Sequence, residues 1–349
     1  MNKLLSAILE FAVENKASDV LLHEGSTAAF KIGGEIIVAE MPSIEKELIT
    51  ELWALCNAKA DALDHDGAFE SEQGARFRAN LFHYLGHRGA VLRRIESKVP
   101  DFETLGLPSA LFKKWLSRSS GLFLVCGPTG SGKSSTLASC VDYLNASDSK
   151  HIVTVEDPVE FLFKPQRSII TQREVGIDVP TFDEGLRRAL RQAPDIIFVG
   201  EIRDYETASM ALQASETGHL VLSSMHVSQA DEAVERFSIM FPSAERDAVA
   251  SVLARELIAV FVQRLLPTTN NSLTLALEYF TNEGAVSDLL TKRDREGLAD
   301  LFRRDPIESR RSLNASLAEL VQRNVITEDI ARKTSPEPGD LSRALRGII

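Results

Sequence analysis

Cysteine is scarce in this sequence of 349 residues, which contains only Cys56, Cys126 and Cys140. None of the three belongs to a C-x-x-C pair, so the pattern supports neither a disulfide framework nor a zinc site. Reduced thiols are typical of cytoplasmic proteins. The cysteine content therefore predicts a protein that works in a reducing compartment.

Long apolar runs are missing as well. The longest apolar patch covers residues 257–262, which is far too short to span a bilayer. The first residues lead to Glu10 and Glu14 rather than to the apolar core of a signal peptide. We therefore expect a soluble chain in the cytoplasm.

Basic residues are outnumbered, with 39 Lys and Arg against 50 Asp and Glu and a net charge of −11. An acidic chain binds nucleic acid and anionic membranes poorly, so we expect no nucleic-acid partner. The apolar fraction of 44% and the charged fraction of 26% are ordinary for a globular protein. The length predicts about two domains.

What the sequence does contain is a phosphate-binding motif. Residues 127–134 match G-x-x-x-x-G-K-[ST], after an apolar strand at 122–126 and before a helix start. Glycine lets backbone N–H groups face phosphate oxygens, and the helix N-terminus adds positive charge. Lys133 would reach the β- and γ-phosphates, and the Ser134 hydroxyl would bind Mg²⁺. The predicted nucleotide-binding residues are Gly127, Pro128, Thr129, Gly130, Ser131, Gly132, Lys133, Ser134 and Ser135.

Residues 1–98 predict a small α+β domain. Apolar residues at helical spacing mark its helices, and alternating apolar residues mark its strands. The predicted elements are helices at 1–15 and 45–61 and strands at 18–23, 29–32, 76–82 and 90–95. Residues 99–110 are interpreted as a linker, and residues 111–349 as a second domain with a helical C-terminal part.

Strands and helices alternate in the second domain, which favours an α/β fold with a mostly parallel sheet and crossover helices. Residues 243–266 predict one long amphipathic helix that ends before Pro267. Two weaker helical stretches follow at 315–324 and 328–333. The buried-strand candidates of this sheet are residues 122–126, 151–155, 196–199 and 220–224.

Polar side chains follow these strands at their carboxyl ends, where open α/β sheets bind ligands. Glu156 and Glu160 follow one strand, and Glu201 and His226 follow two others. Glu201 is the best candidate for the base that activates a water molecule. Asp195 begins its strand, roughly 16–20 Å from the other end, and is interpreted as structural.

The histidines and arginines leave alternatives open. His226 lies at the ligand end of its strand and is a candidate sensor of the γ-phosphate, whereas His219 lies at the opposite end and predicts a structural role. Several arginines crowd into residues 76–94. They form either a solvated strand face or arginine fingers that stabilise transition-state charge.

Four blocks in order resemble the hexameric ATPases of type II secretion and type IV pili. The phosphate loop is the first, and residues 151–161 resemble the family's Asp box. Residues 193–204 resemble its Walker B block, and residues 217–226 resemble its His box. The resemblance implies a PAS-like N-terminal domain, a RecA-like ATPase domain and a homohexameric ring. It places ATP and Mg²⁺ against Lys133, Ser134, Glu156, Glu160, Glu201 and His226, and it matches Arg78 and Arg93 to arginines that approach the nucleotide.

Within that family the chain resembles the type IV pilus retraction (twitching motility) ATPases, since it has neither a long N-terminal extension nor a four-cysteine motif. Its implied partners are an inner-membrane pilus platform protein and a paralogous motor ATPase, which predicts a cytoplasmic protein held peripherally at the inner membrane. Retraction members carry an Ala-Ile-Arg-Asn-Leu-Ile-Arg-Glu-like motif in the C-terminal region, here called the retraction motif. The corresponding residues 285–292 lack both of its arginines, and Ala193 replaces an aspartate often seen before the Pro-Asp pair. A pilus assembly or secretion ATPase, an accessory ATP-binding regulatory subunit and a nucleic-acid motor are the alternatives.

Overall fold

The computed structural model describes residues 2–59, 62–95, 98–270, 272–302 and 307–347. The chain divides into two compact units. The first comprises Met1–Lys98 with Glu160–Leu162, and the second comprises Val99–Val159 with Phe163–Ile349. No helix in the described ranges is both long and apolar enough to cross a membrane.

The first unit is an antiparallel sheet covered by two helices. Its helices are α1 (Lys3–Glu14) and α2 (Lys46–Leu55), and its strands are β1 (Asp19–His23), β2 (Ala29–Ile32), β3 (Glu35–Val38), β4 (Asp64–Glu70), β5 (Arg76–Tyr84) and β6 (His87–Arg94). The strand order is β3-β2-β1-β6-β5-β4. Leu5, Ile8, Leu9 and Ala12 lie on one buried face of α1, at the spacing that predicted this helix.

Two details of the first unit differ from the prediction. The helix predicted over 45–61 ends at Leu55, followed by Cys56 and by Asn57 in the left-handed region at φ 55°; residues 60 and 61 lie outside the described ranges. The strands β3 and β4 were not predicted. The polar sequence of β4 shows little alternation, and pairing with β5 along its whole length fixes it as a strand.

The second unit is built around an eight-stranded sheet. Its elements are α3 (Ser109–Leu116), β7 (Gly121–Cys126), α4 (Lys133–Ser147), β8 (His151–Glu156), β9 (Ile169–Glu174), α5 (Phe182–Ala189), β10 (Ile196–Val199), α6 (Tyr205–Glu216), β11 (Leu220–Met225), α7 (Ala230–Ile239), α8 (Arg246–Glu256), β12 (Leu257–Pro267), β13 (Leu273–Thr281), α9 (Ala285–Lys292), α10 (Arg295–Phe302), β14 (Arg310–Arg311), α11 (Leu313–Gln322), α12 (Glu328–Thr334) and α13 (Pro338–Leu345).

The sheet order is β14-β13-β12-β7-β11-β10-β8-β9. The six strands from β12 to β9 run parallel, and β13 and β14 are antiparallel additions at one edge. The predicted α/β class with a mostly parallel sheet is therefore confirmed. The central strands are buried along their whole length, which explains their continuous apolar sequences.

The long helix predicted over 243–266 is wrong. The helix α8 ends at Glu256, and the chain continues as β12 between β7 and β13. Residues 257–262 are all buried, so their periodicity does not distinguish a core strand from a core helix. Their β-branched residues Ile258, Val260 and Val262 favour the strand.

The segment predicted as a linker packs within the second unit. The Phe102 ring lies 5.3 Å from Phe112 and 5.5 Å from Tyr143 between ring centroids. Phe102 and Leu107 are both buried. These contacts attach residues 99–108 to α3 and α4.

Candidate active site

The phosphate-binding motif forms the turn between β7 and α4. Gly127 has φ 146°, and a Cβ atom there would lie 2.5 Å from the Gln263 carbonyl oxygen and 2.6 Å from Ser131 Oγ. Only glycine fits this approach. Gly132 at φ 88° begins α4, whose first turn contains no acidic residue. The helix therefore presents unpaired N–H groups and partial positive charge to the loop.

Lys133 is the buried cation of this loop. Its Nζ donates to the carbonyl oxygens of Gly127 at 2.9 Å and Pro128 at 3.2 Å. The same Nζ lies 3.5 Å from Nδ1 of His226. The ammonium group of Lys133 thus lies against the first residues of the loop, beside the carboxyl end of β11.

The loop residues fit a phosphate and a magnesium ion. Within the described ranges, Ser131 Oγ is buried without a hydrogen-bond partner, and Ser134 and Ser135 lie half-buried in the first turn of α4. No cluster of three His, Cys, Asp or Glu residues in these ranges could hold a metal by itself.

Glu201 lies at the carboxyl end of β10, next to this loop. Its Oε1 lies 3.1 Å from His226 Nε2, and its Oε2 lies 2.8 Å from Arg203. Backbone contacts fix this corner, since Ile202 N–H donates to the Ser224 carbonyl at 2.9 Å and Ser224 Oγ donates to the Gly200 carbonyl at 2.7 Å. The side-chain hydrogen bond that Arg203 donates to Glu201 raises the pKa of Arg203.

The contacts of His226 indicate its tautomer. Lysine has donors and no acceptor, so the Lys133 contact requires Nδ1 of His226 to accept. Nε2 then carries the proton and donates to Glu201. His226 thus joins the cation of the phosphate loop to the carboxylate at the end of β10.

Glu156 ends β8, the strand next to β10. Its carboxylate is buried and accepts from Thr154 Oγ1 at 2.6 Å and from Gln172 Nε2 at 3.2 Å. The Gly200 N–H donates to the Val155 carbonyl at 2.8 Å, which aligns the ends of β8 and β10. Glu156, Glu201 and His226 therefore lie together at the carboxyl ends of the parallel strands, as the strand-end rule predicted.

Asp195 and His219 lie at the opposite side of the sheet, where the amino ends of the parallel strands meet. The Asp195 carboxylate accepts from the His151 N–H at 2.9 Å and faces Lys150 at 3.4 Å. The backbone hydrogen bond is the main cause that lowers the pKa of Asp195. Nδ1 of His219 lies 2.9 Å from the Ala214 carbonyl oxygen. Both residues precede strands and contact backbone groups, Asp195 at the start of β8 and His219 in the last turns of α6.

Three predicted site residues belong to the first unit. Arg78 on β5 faces Asp66 at 3.8 Å, and Arg93 on β6 donates to Asp19 at 2.8 Å. The two arginines are direct cross-strand partners. Glu160 belongs to the first unit by its contacts and is exposed. Their roles at a nucleotide stay predictions.

Gln263 lies against the phosphate loop and was not predicted as a site residue. This residue of β12 is fully buried, donates to the Ser131 carbonyl at 2.6 Å and accepts from Thr136 Oγ1 at 2.8 Å. It was overlooked because residues 243–266 were predicted to be a helix. The available signal was a single amide residue directly after the apolar run 257–262, since a buried polar side chain requires a partner.

The altered segment 285–292 forms α9. Val286 and Leu290 are buried, and Ser287 Oγ donates to the Ala254 carbonyl at 3.2 Å. Thr291 Oγ1 donates to the Ser287 carbonyl in the preceding turn at 3.0 Å. Serine and threonine here bond to nearby backbone, where the retraction motif has arginines.

A family model described as type II/IV secretion system protein matches residues 1–287. The chain belongs to this family. The predicted family resemblance is therefore confirmed.

Members of the type II/IV secretion system protein family resemble this chain over nearly its whole length. The type IV pilus retraction ATPase PilT of Pseudomonas aeruginosa is 35% identical over 340 residues, which cover 96% of this chain and 98% of PilT. The type IV pilus ATPase PilU of the same organism is 33% identical, with coverage of 96% and 89%.

Solved structures of the family agree. The crystal structure of the pilus retraction motor PilT with bound ADP matches with a TM-score of 0.90 at 36% identity, covering 97% of this chain and 99% of that one. The ATPase DotB of Legionella pneumophila matches with a TM-score of 0.78 at 26% identity, with 94% coverage of both chains. These matches confirm the two-part fold.

Proposed function

We propose that this member of the family is an ATP-hydrolysing hexameric motor that powers type IV pilus retraction and twitching motility. The observation that carries the proposal is the chain of contacts from Lys133 through His226 to Glu201, beside the phosphate loop. The similarity to PilT over nearly the full length of both chains supports the retraction role.

The phosphate loop binds the triphosphate in this proposal. Lys133 exchanges its bonds to the Gly127 and Pro128 carbonyls for β- and γ-phosphate oxygens. The N–H groups of residues 129, 130 and 132–135 and the orphaned Ser131 hydroxyl add further donors. Binding thus replaces neutral carbonyl partners of an ammonium group with anionic ones, which favours the nucleotide.

Ser134 would hold the magnesium ion together with the phosphates. When bound, the ion neutralises the negative charge of the β- and γ-phosphates. Glu156 lies at the carboxyl end of the neighbouring strand β8. Its carboxylate is proposed to orient the groups that surround the magnesium ion. Its bonds to Thr154 and Gln172 keep its carboxylate fixed.

Glu201 is the general base that orients and deprotonates the attacking water. His226 donates to Glu201 from Nε2 and contacts Lys133 through Nδ1. A γ-phosphate bound to Lys133 therefore changes the position of His226, and through it the position of Glu201. Arg203 holds the other carboxylate oxygen. Glu160, Arg78 and Arg93 are proposed to act at the nucleotide as well, the arginines, from the same or a neighbouring subunit, by stabilising transition-state charge.

Force arises when the subunits of the homohexamer close on ATP and open after hydrolysis. The partner that receives this force is an inner-membrane pilus platform protein, and a paralogous motor ATPase is a second candidate partner. The motor therefore works in the cytoplasm, peripherally attached to the inner membrane through its partners.

Two experiments test the proposal. Purified chain with ATP and Mg²⁺ should release phosphate, and EDTA should stop the release. A deletion strain should carry abundant surface pili and lack twitching motility. A deletion strain without pili would instead assign the chain to pilus assembly.

An accessory regulatory subunit is the second candidate, favoured by Ser287 and Thr291 at the arginine positions of the retraction motif. Such a subunit binds ATP and modulates a primary motor. If the purified chain binds ATP, shows negligible turnover alone and adds none of its own to that of the paralogous motor, the result would support this alternative and contradict the motor role.

A further inference from the structure

The phosphate loop is attached to a strand far away in sequence by Gln263. Its Nε2 donates to the Ser131 carbonyl at 2.6 Å, and its Oε1 accepts from Thr136 Oγ1 at 2.8 Å. The two partners flank the start of α4, one in the loop and one in the first turns of the helix. A single buried amide thus spans the loop and the helix that follows it.

The orientation of this amide is fixed by its partners. The Ser131 carbonyl only accepts, so the NH₂ group of Gln263 has to face it, and Oε1 has to face the Thr136 hydroxyl. Gln263 is fully buried, so water does not replace either bond. A flipped amide would oppose two carbonyl oxygens at 2.6 Å, which is strongly unfavourable.

The bond to Ser131 also orients a donor of the loop. A trans peptide is planar, and its C=O and N–H groups point in opposite directions. Because the Ser131 carbonyl points to Gln263, the N–H of Gly132 points away from it. Gly132 has φ 88°, and glycine limits the rotation of this peptide less than any other residue would, so the Gln263 hydrogen bond acts as a restraint on it.

We propose that Gln263 is a positioning residue that prevents rotation of the Ser131–Gly132 peptide and thereby presents the Gly132 N–H to the phosphates of a bound nucleotide. Without Gln263, this peptide turns its carbonyl oxygen toward the phosphates and opposes their charge. The inference rests on the proposed function only in assigning a nucleoside triphosphate to this loop.

The test compares full-length variants by equilibrium binding of ADP, thermal unfolding without nucleotide, and ATP turnover. Gln263→Glu keeps the shape and the Thr136 bond and replaces the donor with a carboxylate oxygen. Gln263→Met keeps the approximate length and removes both bonds. Gln213→Glu, at an exposed position of α6, introduces the same charge far from the loop and serves as the matched control.

Gln263→Glu should weaken ADP binding and raise KM for ATP by about tenfold or more, because a donor turns into a repelling acceptor. Its kcat should stay within about threefold, since Glu201 and His226 are untouched. Gln263→Met should weaken ADP binding less than Gln263→Glu. The weaker ADP binding of both variants should remain when affinity is measured far below the unfolding temperature and is expressed per folded molecule.

The proposal is overturned if both Gln263 variants bind ADP as tightly as Gln213→Glu does. It is also overturned if affinity falls only in proportion to the loss of folded protein. If the wild-type chain binds ADP but does not hydrolyse ATP, the motor function is contradicted. The comparison of ADP binding between the variants then still decides the role of Gln263. Wild-type chain that does not bind ADP contradicts both.

Discussion

The two ends of β10 carry two carboxylates in very different surroundings. At the amino end, Asp195 accepts from the His151 backbone and faces Lys150. At the carboxyl end, Glu201 meets His226 and Arg203 beside the phosphate loop. Residue type alone does not distinguish these carboxylates, whereas their position on a parallel strand assigns them different roles.

The largest expected effect concerns Glu201, the proposed general base. Glu201→Gln should lower kcat for ATP hydrolysis by about 10²- to 10⁴-fold, because the amide cannot accept a proton from water. ATP affinity should remain, since the loop is unchanged. Steady-state phosphate release and equilibrium ATP binding measure the two quantities. The matched change Asp195→Asn should leave kcat within about twofold, and an equal loss in both variants would remove the distinction between the two ends.

The histidines at the two ends of β11 extend the comparison. His226→Ala should lower kcat by about a hundredfold, because Glu201 loses the donor that fixes its orientation. His219→Ala should preserve turnover and alter only stability, since its ring contacts the Ala214 carbonyl. Parallel turnover and thermal-unfolding measurements test this pair. Equal turnover of both alanine variants would contradict the sensor role.

A third carboxylate tests whether burial among backbone donors indicates a structural role. Glu278 accepts from the N–H groups of Ala230 at 2.5 Å and Leu313 at 3.1 Å, at the starts of α7 and α11. Glu278→Gln should destabilise the fold by about 2 kcal/mol, because one buried N–H then faces an amide donor. Urea unfolding measures this loss, and ATP affinity serves as the control that should not change.

Glu278 also predicts a pH dependence of stability. Burial raises its pKa from 4.5 to about 7. The unfolded carboxyl group ionises near its ordinary pKa, while the folded one keeps its proton up to about pH 7, so wild-type stability should fall as pH rises through this window. The Glu278→Gln variant should lack this slope between about pH 5 and 7. An identical slope in both proteins would show that the carboxyl is ionised when folded.

The smallest expected effect is that of Asp195→Asn on stability. Its side chain is 46% exposed, so the loss should be less than about 1 kcal/mol. The pKa of Asp195 is lowered in the fold, so its contribution is present above the ordinary pKa of 3.8 and is lost as pH falls below it. Unfolding at neutral pH and near pH 3 should therefore separate the variant from wild type only at neutral pH.

The sequence predicted the parts of the site that depend on short segments. The loop motif, the strand-end residues Glu156, Glu201 and His226, and the structural interpretation of Asp195 all follow from local patterns combined with the geometry of parallel sheets. The distances that join Lys133 to His226 depend on how neighbouring strands pair, which no local pattern specifies.

Gln263 shows why the rest escaped prediction. It contacts Ser131 across 132 positions of sequence, and its own strand was predicted as helix because an all-apolar run has no diagnostic period. The strand β4 escaped for the opposite reason, since its polar sequence becomes a strand only by pairing with β5. Long-range pairing, rather than local propensity, decided both segments.

The central claim is that ATP binds at the carboxyl-end edge with its γ-phosphate beside residue 201. A structure of the Glu201→Gln chain with ATP and Mg²⁺ tests this most directly, because the variant retains the nucleotide. We predict the triphosphate on residues 127–135, with the γ-phosphate in contact with Lys133 and next to position 201 and His226. A nucleotide bound at the other edge, beside Asp195, would contradict the account.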